Sequence, residues 1–316
     1  MPEAAPASHD PAPRGTLRVI MVAVDFADPA SAAVEYASRL ALLHGAELTL
    51  VHAIEADTLT APDTLDLEAA GTESLARIEA SVRARGLRVR STAEVGAADG
   101  VVLDAERRQP ADLLVVGVGA QIGGHRPGLG RVADRLVRAA QAPVLAVPAG
   151  FQTPDPMVRT ILVATDFSRE SEIAARTAIT LIAAPSPPSR IVVLHGCDVP
   201  ADYGVVANAA VLSKMLADEE LAARARLERW GRDLPESEWA IERIVRQGYA
   251  AGLIGEEARR VDADLIAVGT HGRSGLSRLL LGSVAERVLH DAPCPVLVAH
   301  QERAGDAAAV AASGTA

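Results

Sequence analysis

The chain has 316 residues, 49% hydrophobic and 23% charged, too many for one typical domain and enough for two cores of about 150 residues each. Aromatics make up only 3% and the net charge is −10 with no extended Lys/Arg run, which argues against base stacking, counterion displacement and so any DNA or RNA partner. No apolar run approaches the ~18 residues of a membrane span, and no cationic stretch leads into an apolar core near residue 1, so the expectation is a cytoplasmic protein with no signal peptide and no membrane partner.

Residues 1–16 are rich in Pro and Ala and read as a disordered tail. A first domain is expected over 17–150. It opens on a strand at Val22-Ala-Val-Asp25-Phe26, continues through Thr49-Leu-Val-His52, and closes on Pro143-Val-Leu-Ala-Val147. The segment FQTPDP (151–156) reads as a linker, and a second domain is expected over 157–301. There Arg159–Thr165 is a β-branched strand. A helix follows from Ser168 to Ala183, with Ser168 as N-cap, Glu170 and Glu172 in its first turn, and Pro185 as the stop. Ile191–His195 is a strand, Ala209–Leu234 a helix ended by Pro235, Trp239–Val245 a strand and Ala250–Arg260 a helix. Leu265–Val268, a helix over Ser283–His290 and the strand Pro295–Ala299 complete the half, and 302–316 reads as a second disordered tail. Cys197 and Cys294 fall near strand ends without metal-type spacing and are expected to be small buried thiols.

The halves repeat each other. Residues 96–117 lie over 248–269 and residues 131–148 over 283–300, both at an offset of 152. The first strands match at 141 and the second strands at 143, with His52 over His195. A histidine bonded to backbone is the expectation at both places. Strands that are apolar throughout and separated by helices imply a parallel sheet covered on both faces, so the fold class is α/β, with two tandem, open, doubly wound, five-stranded parallel sheets. The apolar closing strands would pair as edges, the two halves joining like a dimer within one chain, and edges that stay exposed would pair a second copy as a homodimer.

Ligands of such sheets bind outside the carboxyl ends of the strands. In the second half those ends carry Thr165-Asp166, His195-Gly196 and the loop Gly269-Thr-His-Gly272-Arg273, which runs on to Gly282-Ser283 at a helix start. Glycines at 269 and 272 let backbone amides converge, Gly282 admits a ligand to the helix N-terminus, and Ser283 adds a hydroxyl, so the arrangement fits an anion such as a triphosphate screened by Arg273 or Arg278. No nucleophile stands beside His271, so acyl-transfer chemistry is not expected. Gly117-Val-Gly119 lacks the third glycine of a dinucleotide fingerprint, since Ile122 stands there.

The spacing Gly-x2-Gly-x9-Gly-Ser within GTHGRSGLSRLLLGSVAERVLHDAPCPVLV (269–298), together with ILVATDFS (161–168), resembles the ATP-binding motif of universal stress proteins. The resemblance covers nearly the whole chain, twice. It implies the adenine-nucleotide α-hydrolase-like fold of that family and an adenine nucleotide as partner, ATP with Mg²⁺. It also implies site residues. Ala164, Thr165 and Asp166 would meet the adenosine, with Asp166 near ribose or Mg²⁺. Gly196 would lie by the adenine, and Val268 and Gly269 by the ribose. Gly272, Gly282, Ser283 and Val284 would hold the phosphates. The first half departs from the pattern: Ala120 replaces Gly272 and Arg131 replaces Ser283, so its site is expected to be degenerate unless Arg131 recruits an anion of its own. The expected function is a non-catalytic or very slow ATPase, a stress-response regulator. The alternatives are a nucleotide-independent scaffold and an ATPase or autophosphorylating enzyme using Thr270, Ser274 or Ser283.

Overall fold

A computed structural model describes residues 17–26, 28–55, 61–119, 129–155, 157–182, 190–197, 209–232, 234, 239–270 and 281–299. The first half runs β1 (Val19–Val24), α1 (Asp28–His44), β2 (Glu47–Ile54), α2 (Ala61–Ala84), β3 (Arg88–Val95), α3 (Ala98–Arg108), β4 (Leu113–Val118), α4 (Arg131–Ala139) and β5 (Val144–Pro148). The second runs β6 (Thr160–Ala164), α5 (Arg169–Ile182), β7 (Arg190–Cys197), α6 (Ala209–Leu227), β8 (Ala240–Gln247), α7 (Ala250–Arg260), β9 (Leu265–Gly269), α8 (Ser283–Asp291) and β10 (Val296–Ala299). The tails 1–16 and 302–316 lie outside the described residues.

All ten strands form one sheet in the order β3-β2-β1-β4-β5-β10-β9-β6-β7-β8. Every pair within a half is parallel, so each half is the five-stranded, doubly wound sheet that the repeat implies. The central strands are apolar on both faces because both faces are covered. On β1, Ile20, Val22 and Val24 enter a core with α1, α2, α5 and α6, while Met21 enters the opposite core with α3, α4, α7 and α8. Both cores run unbroken across the two halves. No helix among the described residues is long and apolar enough to cross a membrane.

The halves meet at the antiparallel pair β5–β10, in the register Ala146↔Val296, Leu145↔Leu297 and Val144↔Val298. At the repeat offset of 152, Leu145 faces its own counterpart and the flanking pairs exchange. A local twofold axis therefore passes through this pair, the signature of an isologous contact. Arg138 on α4 also approaches Glu286 on α8 at 3.7 Å, carrying the seam onto the helices.

Several repeat positions keep the same physical task. Asp112 accepts the backbone N–H groups of Arg18 (2.8 Å) and Val19 (2.9 Å), and Asp264 accepts those of Arg159 and Thr160 at the same distances. Each carboxylate thus caps the start of its first strand. Cys197 and Cys294 are buried and form no disulfide among the described residues, and burial pushes the Cys294 thiol up to about 12.

Some element ends differ from the sequence reading. The helix expected over Ala209–Leu234 ends at Leu227, because the chain turns through Gly231 at φ +73°, a conformation that favours glycine, well before Pro235. The strand expected over Trp239–Val245 extends to Gln247, because β7 itself continues to Cys197 and pairs with it there.

Candidate functional site

Strand order reverses between β6 and β9, where consecutive crossovers leave toward opposite sides. At the carboxyl ends of β6, β7 and β9 lies a cavity of about 220 Å³. That is just under the ~300 Å³ lower bound of drug-sized clefts, and so suits a small ligand or part of a larger one.

The residues picked out from sequence divide cleanly. Ala164, Thr165 and Asp166 line the cavity from the end of β6, Gly196 from β7, Val268 and Gly269 from β9, and Gly282, Ser283 and Val284 from the start of α8. Gly272 and Arg273 lie outside the described residues, as do Ala120, His271 and Arg278. Thr270, named for the autophosphorylating alternative, also lies on the wall, as do Ser171, Leu194, Ala250, Ile254 and Ala285, which the sequence does not single out. His195, expected to serve structure, lines it too.

Three helix N-termini surround this cavity, and they differ in how their orphan amides are met. On α5, Ser168 caps the helix as expected, its Oγ accepting the Ser171 N–H at 3.2 Å. On α8, Gly282 occupies the N-cap with extended backbone (φ −62°, ψ 141°), so many residues fit its conformation. Its value is that it brings no capping side chain. The first bond within the helix runs from the Glu286 N–H to the Gly282 carbonyl, leaving the Ser283, Val284 and Ala285 N–H groups without an acceptor among the described residues. On α7, Tyr249 is the N-cap and contributes no side-chain bond either. Ala250 brings that second open terminus to the same cavity. Two uncapped helix ends with their partial positive charge converge on one space, a setting for an anion.

The turn after β6 is tightly braced. Thr165 Oγ1 accepts the Phe167 N–H at 2.9 Å and lies 2.8 Å from Ser171 Oγ, which donates to the Ser168 carbonyl at 2.8 Å. Ser171 spends its proton there, so Thr165 is the donor between the two hydroxyls. The Thr165 hydroxyl is largely committed to the fold. Asp166 is half-buried and its Oδ1 accepts the Ser168 N–H at 3.0 Å. His195 Nδ1 lies 2.7 Å from the Thr165 carbonyl and must donate to it, as expected for a histidine held by backbone. Phe167 sits at φ +66° against the His195 ring, with centroids 4.2 Å apart.

Two glycines owe their identity to packing. A Cβ on Gly269 would stand 2.9 Å from the Glu170 carbonyl carbon and the Ser171 nitrogen, so β9 and the first turn of α5 touch only because residue 269 is glycine. A Cβ on Gly196 would meet Ala250 Cα at 3.2 Å. The sequence reading gave Gly269 the task of freeing loop amides. Its first task is to let a helix lie on a strand end.

The first half keeps the frame, and its α4 also starts at a glycine, Gly130, without a side-chain cap, but it differs after its first strand. Val24 and Ala30 stand at the repeat positions of Thr165 and Ser171, so the hydroxyl pair is gone. Phe26 (φ +60°) still packs on His52 at 4.2 Å, and His52 Nδ1 lies 2.8 Å from the Val24 carbonyl. Arg131 has a carboxylate neighbour within the chain: Glu55 lies 3.8 Å from its guanidinium and accepts the Ala98 N–H at the start of α3, at 3.3 Å. Among the described residues no group of three or more His, Cys, Asp or Glu gathers as a metal site.

The universal stress protein family model matches residues 16–148 and again 157–300. The universal stress protein Rv2005c of Mycobacterium tuberculosis is 30% identical over 296 residues, covering 89% of this chain and 97% of its own. Rv2623 of the same organism is 32% identical over 300 residues, covering 89% and 96%. The crystal structure of a universal stress protein from Archaeoglobus fulgidus aligns over 90% of this chain and 98% of its own with a TM-score of 0.67; at 17% identity it speaks to the fold alone.

Proposed function

The chain belongs to the universal stress protein family, and we propose that its second half is an adenine-nucleotide site taking ATP with Mg²⁺, through which the protein acts as a stress-response regulator. The observation that carries this is the convergence of two uncapped helix termini, on α7 and α8, at the cavity formed by the ends of β6, β7 and β9. The amides of Ser283, Val284 and Ala285 would hold phosphate oxygens, helped by Gly272 and Arg273 of the loop. Ala164, Thr165, Gly196, Val268 and Gly269 would enclose the nucleoside. A Mg²⁺ needs only one or two protein oxygens here, and Asp166, a carboxylate on the wall, would hold it. The ion, when bound, neutralises phosphate charge.

Hydrolysis is absent or slow in this reading. Asp166 and His195 on the wall both already hold backbone groups, which supports a role in shape rather than in activating water. The two halves, 17–150 and 157–301, work as one intramolecular dimer in the cytoplasm, and the isologous β5–β10 register supports that pairing. It also consumes both closing edges, so a homodimer of the whole chain uses another surface. Titration calorimetry of ATP with Mg²⁺ tests the site: saturable binding is expected, and no heat at millimolar nucleotide overturns it.

One observation favours a second reading, a scaffold that needs no nucleotide. The first half holds the same frame with Val24 and Ala30 in place of the hydroxyl pair, so the fold stands without that pair. Under that reading Gly272→Val leaves stress survival unchanged, whereas the nucleotide reading expects its loss.

A further inference from the structure

The Phe167 ring has a second neighbour. The guanidinium carbon of Arg226, near the end of α6, lies 4.2 Å from its centroid, and the His195 ring centroid lies at the same distance. Two groups that close cannot share one face of a phenyl ring, so Phe167 is sandwiched between a cation and an imidazole. The imidazole is anchored in turn to the Thr165 carbonyl.

The repeat supplies the comparison. Both halves place a phenylalanine in the left-handed region, a conformation that persists in a bulky residue only where its surroundings impose it. Both pack it on a histidine bound to the residue two before it. At the offset of 152, buried Leu75 matches buried Leu227, which puts Ser74 opposite Arg226. Among the described residues, the Phe26 ring carries no cation. Among the described residues the clamp is found in the half that has the hydroxyl pair.

We propose that Arg226 is a positioning residue for the second-half site: its guanidinium presses Phe167 against His195 and so holds the Thr165–Asp166 turn at the cavity wall. The proposal rests on the nucleotide reading for its ligand and on the structure alone for the clamp. It also ties α6 to the site, because what moves the turn moves the ring on which Arg226 lies.

The test compares full-length Arg226→Met, which keeps length and apolar contact without charge, with Arg226→Lys, which keeps a cation over the ring. Hydrogen exchange of the Phe167 and Ser168 amides, which donate to Thr165 Oγ1 and Asp166 Oδ1, is measured without nucleotide. Exchange is expected to quicken about two- to fivefold in the Met variant, the range a cation–π contact at an exposed site is worth, and to return to wild type with Lys. ATP affinity is expected to fall about two- to fivefold in the Met variant and to recover with Lys. Unchanged exchange in the Met variant overturns the clamp, and equal quickening in both variants overturns its dependence on charge. Quickened exchange with unchanged affinity overturns the positioning role. If the wild-type protein takes no ATP, the nucleotide reading falls, and the exchange comparison still decides whether the clamp exists.

Discussion

Gly269→Ala separates two reasons for one glycine. The added Cβ would lie 2.9 Å from the Glu170 carbonyl carbon, the Glu170 Cβ and the Ser171 nitrogen, whereas ordinary contact begins at 3.4 Å. Two of these three atoms are backbone and cannot swing aside, so the first turn of α5 must retreat by about half an ångström. Overpacking of this kind costs about 1–3 kcal/mol. The retreat also stretches the 2.8 Å contact between the Thr165 and Ser171 hydroxyls, adding up to about 1 kcal/mol. For a domain of this size the sum lowers the unfolding midpoint by roughly 2–16 °C. Differential scanning calorimetry without nucleotide measures it, with Gly196→Ala as the milder comparison because its nearest contacts are at 3.2 Å. Unchanged stability in Gly269→Ala would refute the packing argument and return this glycine to the loop amides.

Ser283→Pro removes one amide from the start of α8, at the first helical position, where proline is tolerated, and Gly282 already has the extended backbone that must precede it. Stability is expected to hold while ATP affinity falls about 10- to 100-fold, the worth of a charge-assisted bond, as read by calorimetric titration. Glu257 gives an acid-side test. Its hydrogen bond to Arg260, against the opposing effect of burial and with help from the charges of Arg260, Arg246 and Arg190, holds its carboxyl below the ordinary value. A carboxyl lowered in the folded state stabilises above its unfolded value of about 4.3, and that contribution is lost as pH falls through the folded value. Unfolding midpoints followed downward from pH 6 should therefore fall more steeply in wild type than in Arg260→Gln.

Much of the architecture was written in one-dimensional patterns. The offset of 152 carries the duplicated frame, and with it the Asp112/Asp264 strand caps and the self-facing pair Leu145–Leu297. Nine of the eleven residues picked for the site lie on one cavity because the ends of β6, β7 and β9 follow from the apolar runs. What was not legible depends on contacts between distant segments. Nothing local tells that Gly269 touches Ser171, almost a hundred residues earlier, or that Arg226 lies over Phe167. The left-handed Phe26 and Phe167 run against residue preference and are visible only in backbone angles. At the end of α6 the local signals compete: Pro235 is the stronger stop by residue type, but the chain turns at Gly231.

The proposed function gives the chain one working nucleotide site, in the second half. Equilibrium dialysis of radiolabelled ATP with Mg²⁺ against the full chain counts it directly. One nucleotide per chain, lost in Ser283→Pro and kept in Arg131→Ser, is the predicted result; two per chain, or none at millimolar ATP, would contradict it.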